Sequence, residues 1–205
     1  MSAVLLTRFK ISDLAAWTAL ETGRRLLPPG YALQRVVREE LYLFEPEAGA
    51  ASDAFESQLG HAIESSNFFV NPNKERYRFL TASGRGESLA APEGAWGILA
   101  RARDDTRDDG LRERLLREHP IEGLGPIRRA RLWWLWTQGP EGRSSVEECY
   151  KLIGAVAGTR RGLIVNPHAE ADLTIEGSVP WRAVESFLAG PAPALRGAAR
   201  WKGTS

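Results

Sequence analysis

Cysteine is nearly absent from this chain of 205 residues: Cys149 stands alone, so no internal disulfide can form and a cytoplasmic home is the default expectation. Histidine is scarce too. His61, His119 and His168 are scattered and lack the spacing with cysteine or carboxylates that a zinc site needs. No apolar run approaches the roughly 18 to 20 residues that cross a bilayer, so no membrane is expected. The N-terminus lacks an apolar core followed by a small-residue cleavage site, so no secretory signal is read. A net charge of +1 gives no reason to expect nucleic acid as a partner. What is present is an ordinary globular composition, 43% hydrophobic and 26% charged, with seven tryptophans that must mostly be buried or sit at an interface.

One stretch occurs twice. Val70-Asn71-Pro72-Asn73-Lys74-Glu75 returns as Val165-Asn166-Pro167-His168-Ala169-Glu170, 95 residues later. A period near half the chain points to two copies of a domain and not to a solenoid. The first copy reads as a strand from Val4 to Phe9, a helix from Leu14 to about Leu27 with Leu14, Trp17, Leu20 and Leu27 on or near one face, and a strand from Tyr31 to Val37. A turn at Arg38-Glu39-Glu40 leads to a strand Leu41–Phe44, a helix from Ala54 to about Ser66, and a last strand near Arg76 to Thr81. The second copy restarts at Trp96. It runs through a helix Leu111–His119, strands Gly125–Arg129 and Leu132–Trp136, a turn at Gly139-Pro140-Glu141-Gly142, and a helix capped by Ser144-Ser145 and carrying Val146, Cys149, Ile153 and Val156. A strand near Asp172 to Glu176 ends it. Each half spells βαββαβ, the ferredoxin-like plan. Arg38-Glu39-Glu40-Leu41-Tyr42 also aligns with Arg129-Ala130-Arg131-Leu132-Trp133 at an offset of 91. The expected fold class is α+β, two tandem ferredoxin-like domains forming a pseudo-dimer. The expected bounds are 1–82 for the first domain, 83–94 for a Gly/Pro-rich linker, 95–177 for the second domain, and 178–205 for a C-terminal helix and loosely held tail.

The third strands bear on how the copies would meet. Leu132-Trp133-Trp134-Leu135-Trp136 does not alternate apolar with polar, and Leu41-Tyr42-Leu43-Phe44 has the same character. A strand with one open face should alternate. If both are strands, both faces are covered, most simply sheet against sheet between the halves. A helix or a merely buried segment at either place is the alternative, because short apolar runs are ambiguous.

No catalytic constellation stands out. Glu39-Glu40 and Glu147-Glu148 are adjacent in sequence, so neither pair puts two carboxylates on one face. Cys149 sits on an apolar stripe and reads as core. Gly84-Arg85-Gly86 lacks the strand-before, helix-after setting of a phosphate loop. Arg128, Arg129 and Arg131 beside Trp133, Trp134 and Trp136 could be a base-stacking platform, but no aromatic signature of RNA-binding sheets follows. Asn-Pro has a plain structural reading: proline disfavours helix at the residue before it, so each asparagine ends a helix and aims the next strand.

An arginine-bearing strand-turn-strand, a helix, an apolar pair, Asn-Pro, an acidic residue and a final strand together resemble PurS. PurS is the small subunit of bacterial and archaeal phosphoribosylformylglycinamidine synthase. The matching stretches are Phe68-Phe69-Val70-Asn71-Pro72-Asn73-Lys74-Glu75, Leu163-Ile164-Val165-Asn166-Pro167-His168-Ala169-Glu170 and Gly123-Leu124-Gly125-Pro126-Ile127-Arg128-Arg129-Ala130-Arg131-Leu132-Trp133. The resemblance covers about 1–82 and 95–177. It implies a subunit without catalytic activity or cofactor of its own, joining a PurL-like synthetase to a PurQ-like glutaminase in purine biosynthesis. The fused pair could itself form a homodimer. The motif positions it marks for binding are Asn71, Pro72, Glu75, Arg129, Asn166, Pro167 and Glu170. The family's Gly-Lys turn is missing from both halves, with Glu39-Glu40 and Ala130-Arg131 in its place. A stand-alone ferredoxin-like ligand-binding or regulatory module is the alternative.

Overall fold

A computed structural model describes residues 2–139, 146–154, 163–191 and 199–202. The described residues form an α+β structure with a mostly antiparallel sheet and five helices. Strand β1 (Ala3–Phe9) leads to helix α1 (Leu14–Leu26), whose first turn is capped by Asp13 accepting from the amides of Ala15 and Ala16 at 2.9 and 3.3 Å. Then come β2 (Ala32–Pro46), α2 (Ser52–Ser65), β3 (Glu75–Leu80) and a short β4 (Ser88–Ala90). Strand β5 (Trp96–Ala102) precedes α3 (Asp109–Glu118), capped by Asp108 accepting from the Leu111 amide at 3.0 Å. Strand β6 (Leu124–Gln138) is followed by α4 (Val146–Cys149), which continues as a π-helical stretch Tyr150–Gly154. Strands β7 (Glu170–Glu176) and β8 (Ser178–Pro180), helix α5 (Trp181–Ala189) and strand β9 (Ala199–Lys202) complete the chain.

The expected turns at Arg38-Glu39-Glu40 and near Ala130 are not turns. In each place two expected strands run straight on as one strand of 15 residues. The reason is chemical. A tight hairpin needs residues that accept positive φ, usually Gly, Asn or Asp. Arg-Glu-Glu and Arg-Ala-Arg offer none, and the positive-φ glycines lie elsewhere, at Gly30, Gly49, Gly86, Gly94, Gly123 and Gly177. The expected βαββαβ order is therefore observed as βαβαβ in each half, apart from short added strands.

The continuous strands change which residues pack together. The chain forms two compact units that cut across the expected boundaries at 82 and 95. Unit 1 comprises Met1–Ile11, Glu39–Glu87 and Thr106–Ala130; unit 2 comprises Ser12–Arg38, Ser88–Asp105 and Arg131–Ser205. Unit 1 holds β3, β1, the second half of β2 and the first half of β6, in that order. Its core joins Leu5, Tyr42, Phe44 and Phe69 to Phe55, Leu59 and Ile63 of α2 and to Leu115 of α3. Unit 2 holds the first half of β2, the second half of β6, β5, β7 and β9. Its core joins Ile98, Trp133 and Leu135 to Ala16 and Ala19 of α1 and to Cys149 and Ile153. Each unit thus takes one helix and half a strand from the other sequence half.

In unit 2 the second sheet face is covered as well. Arg101 lies on the face opposite Ile98 and Ala100, and its guanidinium sits 5.1 Å from the Phe187 ring of α5. Its Nη2 donates to the Gly190 carbonyl at 2.8 Å, and Trp181, Val184 and Leu188 of the same helix are buried. A helix, where an opposed sheet was expected, lies against this face. In unit 1 the corresponding positions Val4, Leu6, Leu41 and Leu43 are also buried. The apolar, non-alternating character of both expected third strands is explained by this two-sided burial.

Three smaller expectations need correction. Helix α1 buries its small residues Ala16, Ala19 and Gly23, while Leu14 and Trp17 are 73% and 58% exposed. A Cβ on Gly23 would lie 2.6 Å from Leu33 Cδ2, so α1 approaches its strand too closely for large residues on that face. The segment 83–94 is not wholly a linker, since Ser88–Ala90 pairs antiparallel with Ser178–Pro180. The tail beyond Gly190 returns as β9, which pairs parallel with β7 from Leu173↔Ala199 to Glu176↔Lys202. The expected turn at Gly139–Gly142, the Ser144-Ser145 cap and Val156 lie wholly or largely outside the described residues.

Candidate functional site: the twin Asn-Pro turns and the arginine stacks

The repeated Asn-Pro stretch builds one turn twice. In unit 1 the Asn71 carbonyl accepts from the amides of Lys74 and Glu75 at 2.9 and 2.7 Å. Its Oδ1 accepts from the Asn73 amide at 3.1 Å, and its own amide donates to Glu75 Oε2 at 2.7 Å. In unit 2 the Asn166 carbonyl accepts from Ala169 and Glu170 at 3.1 and 2.7 Å. Asn166 Oδ1 accepts from the His168 amide at 3.1 Å, and the Asn166 amide donates to Glu170 Oε2 at 2.8 Å. Asparagine suits the position because its short amide can bond the backbone two residues on. Glutamate five positions into the motif closes the loop from the other side.

Pro72 and Pro167 are held alike. Lys10 Nζ donates to the Pro72 carbonyl at 2.7 Å, and Arg103 Nε donates to the Pro167 carbonyl at 2.9 Å. Lys10 and Arg103 follow β1 and β5 directly and also donate their backbone amides into the turns, to Lys74 and Ala169. Sequence inspection missed both residues. Their positions, 93 apart at the ends of equivalent strands, were the available signal. Asn71, Pro72, Asn166 and the loop residues between the asparagines and glutamates are largely exposed. The turns are joints bonded within themselves and tied to the residues that follow β1 and β5, and most of their outer surface is open.

Arg129, the remaining expected site residue, belongs to a second twin arrangement. In unit 1 its guanidinium lies 5.6 Å from the centre of the Tyr42 ring and its Nε is 3.3 Å from Glu40 Oε2. In unit 2 Arg38 lies 5.9 Å from the Trp133 ring and 3.1 Å from Asp13 Oδ2. Arg38 aligns with Arg129 and Tyr42 with Trp133 at the same offset of 91, so each half lends its arginine to the other half's aromatic. Such a stack contributes roughly 0.5 to 2 kcal/mol, more where water is excluded. Burial opposes the charge on Arg129, but Tyr42 and Glu40 outweigh it and hold the guanidinium above its ordinary value. Burial pushes the Tyr42 phenol up, with Arg129 pulling against it. Arg129 stays charged and Tyr42 neutral near pH 7, as a stack requires. The structure does not gather the seven expected residues into one site: Asn71, Pro72, Glu75 and Arg129 belong to unit 1, and Asn166, Pro167 and Glu170 to unit 2.

The units differ in their chemistry. Unit 2 carries a part-buried pair in which Tyr150 Oη donates to Asp172 Oδ2 at 2.6 Å. Burial pushes the Asp172 carboxyl up, while Tyr150 and Arg103 pull it down less strongly. Burial, then the Asp172 carboxylate, pushes the Tyr150 phenol up. Cys149 is buried and its thiol is pushed up by that burial, which suits core packing and not nucleophilic attack. Unit 1 instead has an open depression of about 450 Å³ where α2 and α3 both end. Ser65, Ser66, Phe68, Arg114 and His119 line it; Arg114 stacks 4.2 Å from the Phe68 ring centre, and the His119 ring meets Phe68 edge-on at 6.2 Å. Among the described residues no group of three or more His, Cys, Asp or Glu is placed to hold a metal ion, and no helix is long and apolar enough to cross a membrane. No protein-family model, no curated protein and no solved structure matches the chain.

Proposed function

We propose that the chain is a duplicated ferredoxin-like scaffold acting as a PurS-like assembly subunit. In this reading it bridges a PurL-like synthetase and a PurQ-like glutaminase of phosphoribosylformylglycinamidine synthase and performs no bond chemistry itself. The supporting observation is the twin turn. The same Asn-Pro turn is built bond for bond in both units, with its asparagine exposed in each, so a single chain offers two like docking points, as a bridge requires. The two 15-residue strands, running where the family has a Gly-Lys turn, account for that departure: the halves exchange a helix and a half-strand without closing a hairpin.

The test is reconstitution. Purified PurL and PurQ that lack their PurS should gain glutamine-dependent conversion of formylglycinamide ribonucleotide when this protein is added, and all three should co-elute. Failure to co-elute, together with no gain in glutamine-dependent rate, rejects the reading.

The depression at the ends of α2 and α3 favours the second reading, a stand-alone ligand-binding module. It is lined by residues from both sequence halves within unit 1, and the Ser66 Oγ at its wall is buried without a hydrogen-bond partner. A buried hydroxyl left unsatisfied costs about 1 to 3 kcal/mol, which a polar ligand would recover. A rise in melting temperature with a small polar metabolite, lost in Ser66→Ala, would favour this reading over the first.

A further inference from the structure

Strand β3 pairs with β1 alone among the described strands, so its other side is an open edge. Its counterpart in unit 2, β7, lies 95 residues on and is not open: β9 pairs with it in parallel over Leu173–Glu176. The equivalent positions on β3 and just beyond it are Arg78 to Thr81. A sheet edge is a row of unpaired donors and acceptors that will template another strand unless something guards it. Among the described strands, one of the two equivalent edges is closed by the C-terminal segment and the other has no strand beside it.

Charge says what the bare edge accepts. Strand β7 reads Glu-Ala-Asp-Leu-Thr-Ile-Glu, and the segment that joins it reads Ala-Arg-Trp-Lys; in their register Glu176 falls opposite Lys202, one acidic position against one basic. Strand β3 reads Glu-Arg-Tyr-Arg-Phe-Leu. Arg76 stands directly opposite Arg8 in the β1–β3 register, with Arg78 two positions on, so three guanidinium groups share one face. Like charges directly opposite one another are destabilising in a sheet. Arg78 meets the buried Glu39 carboxylate at 3.5 Å, but Arg76 and Arg78 are both exposed, as is Tyr77 at 40%. Charges that merely guard an edge need not be stacked on one face.

We propose that the β3 edge is a docking site for an extended acidic segment of a partner protein, added as a further strand, with its carboxylates answering Arg8, Arg76 and Arg78. Main-chain hydrogen bonds would supply the register and the arginines the selectivity. The chain's own basic C-terminal sequence, supplied by a second copy, has the wrong charge for this edge. The proposal rests on the open edge and its arginines, not on the PurS-like reading, and holds for any partner.

The probe is a fluorescein-labelled, end-blocked peptide, Ser-Glu-Val-Glu-Val-Asp-Thr, and the control carries lysine at each acidic position. With the full-length protein at low salt, the acidic peptide should raise anisotropy saturably and the lysine peptide should not. Hydrogen exchange should slow at the amides of 75–80. Arg76→Glu with Arg78→Glu removes two exposed ion pairs and should weaken the acidic peptide about tenfold while admitting the lysine peptide. Equal affinity for the two peptides, or binding without protection of β3, overturns the proposal. So does concentration-dependent dimerisation of the native protein that the double substitution abolishes, since that would make a second copy the occupant. If the variant fails to melt cooperatively, the peptide comparison and the exchange pattern on the native protein still decide.

Discussion

Unit 1 and unit 2 are assembled from equivalent parts, yet they finish differently. Both contain two helices, one Asn-Pro joint and an arginine borrowed from the other sequence half. Unit 2 adds α5 over its second face, β9 along its edge and a part-buried Tyr150–Asp172 pair; unit 1 has an open depression and, among the described strands, an edge with no further strand on it. The lesson is that the shared backbone bonding answers to folding, whereas the unshared parts answer to whatever each unit meets. Packing and backbone bonding explain how the twin turns are built, and their outward surfaces remain the two like docking points of the proposed bridge. Features present in one copy call for a separate cause.

The comparison can be broken most severely by cutting the chain. A fragment of residues 1–87 lacks α3 and the first half of β6, leaving Tyr42, Phe44 and Phe69 without Leu115, Leu124 and Ile127. Expressed alone it should give no cooperative melt as a monomer, or should dimerise by exchanging α1 and the first half of β2 between copies. Light scattering with a thermal scan decides, and a stable monomer would show that the halves fold separately. Next in size is Trp133→Ala, which empties the unit 2 core and strips Arg38 of its stack; about 3 to 5 kcal/mol should be lost in urea unfolding. Tyr42→Ala is the matched change in unit 1 and should cost less, because the smaller ring leaves the smaller cavity.

A milder pair asks whether the joints are equal. Asn71→Ala and Asn166→Ala each remove one side-chain bond to the backbone and should each cost about 1 kcal/mol. A large difference between their urea midpoints would show that one turn carries a load the other does not. The smallest effect concerns the unit 2 pair. The folded Asp172 carboxyl titrates above its unfolded value, so its contribution is fully present below the unfolded value, near pH 4, and is lost as pH rises through the folded value. Asp172→Asn keeps an oxygen for the Tyr150 hydroxyl. Its stability relative to the native protein should improve between pH 4 and pH 7; a flat difference would mean the carboxylate is not penalised by burial.

Much of this was legible in the sequence. The helix starts near Leu14 and Leu111, the two Asn-Pro joints and the strand at each end of each half follow from local chemistry, because prolines and periodicity act over a few residues, although Asp108, read as loop, proves to be the cap of α3. The exchange of α1 and α3 was not legible, because it turns on a negative: Arg38-Glu39-Glu40 and Arg129-Ala130-Arg131 fail to turn. The missing Gly-Lys was visible, but its consequence, a straight strand leading into another unit, depends on residues about 90 positions away. The face of α1 was misread for a related reason. Leu14 and Trp17 have helical spacing, yet the close approach of Gly23 to Leu33 selects the small-residue face for burial. Within the candidate site, the asparagines and glutamates were visible as a repeat, whereas Lys10 and Arg103 come from distant strands and only the fold brings them in.

The continuous run through Arg38 and Ala130 also sets a timetable for synthesis. Unit 1 cannot close its core until Ala130 has left the ribosome, although most of its residues precede Glu87. Until then α1 and the first half of β2 wait with no sheet of their own beneath them. Pairing that spans about 90 residues is slow because a long loop must be ordered before any contact rewards it. Nascent chains of this protein therefore pass through a long interval in which Tyr42, Phe44 and Phe69 are made but not yet covered by Leu115, Leu124 and Ile127, and a chaperone that shields that stretch would raise the yield of native protein more than one that acts on the finished chain.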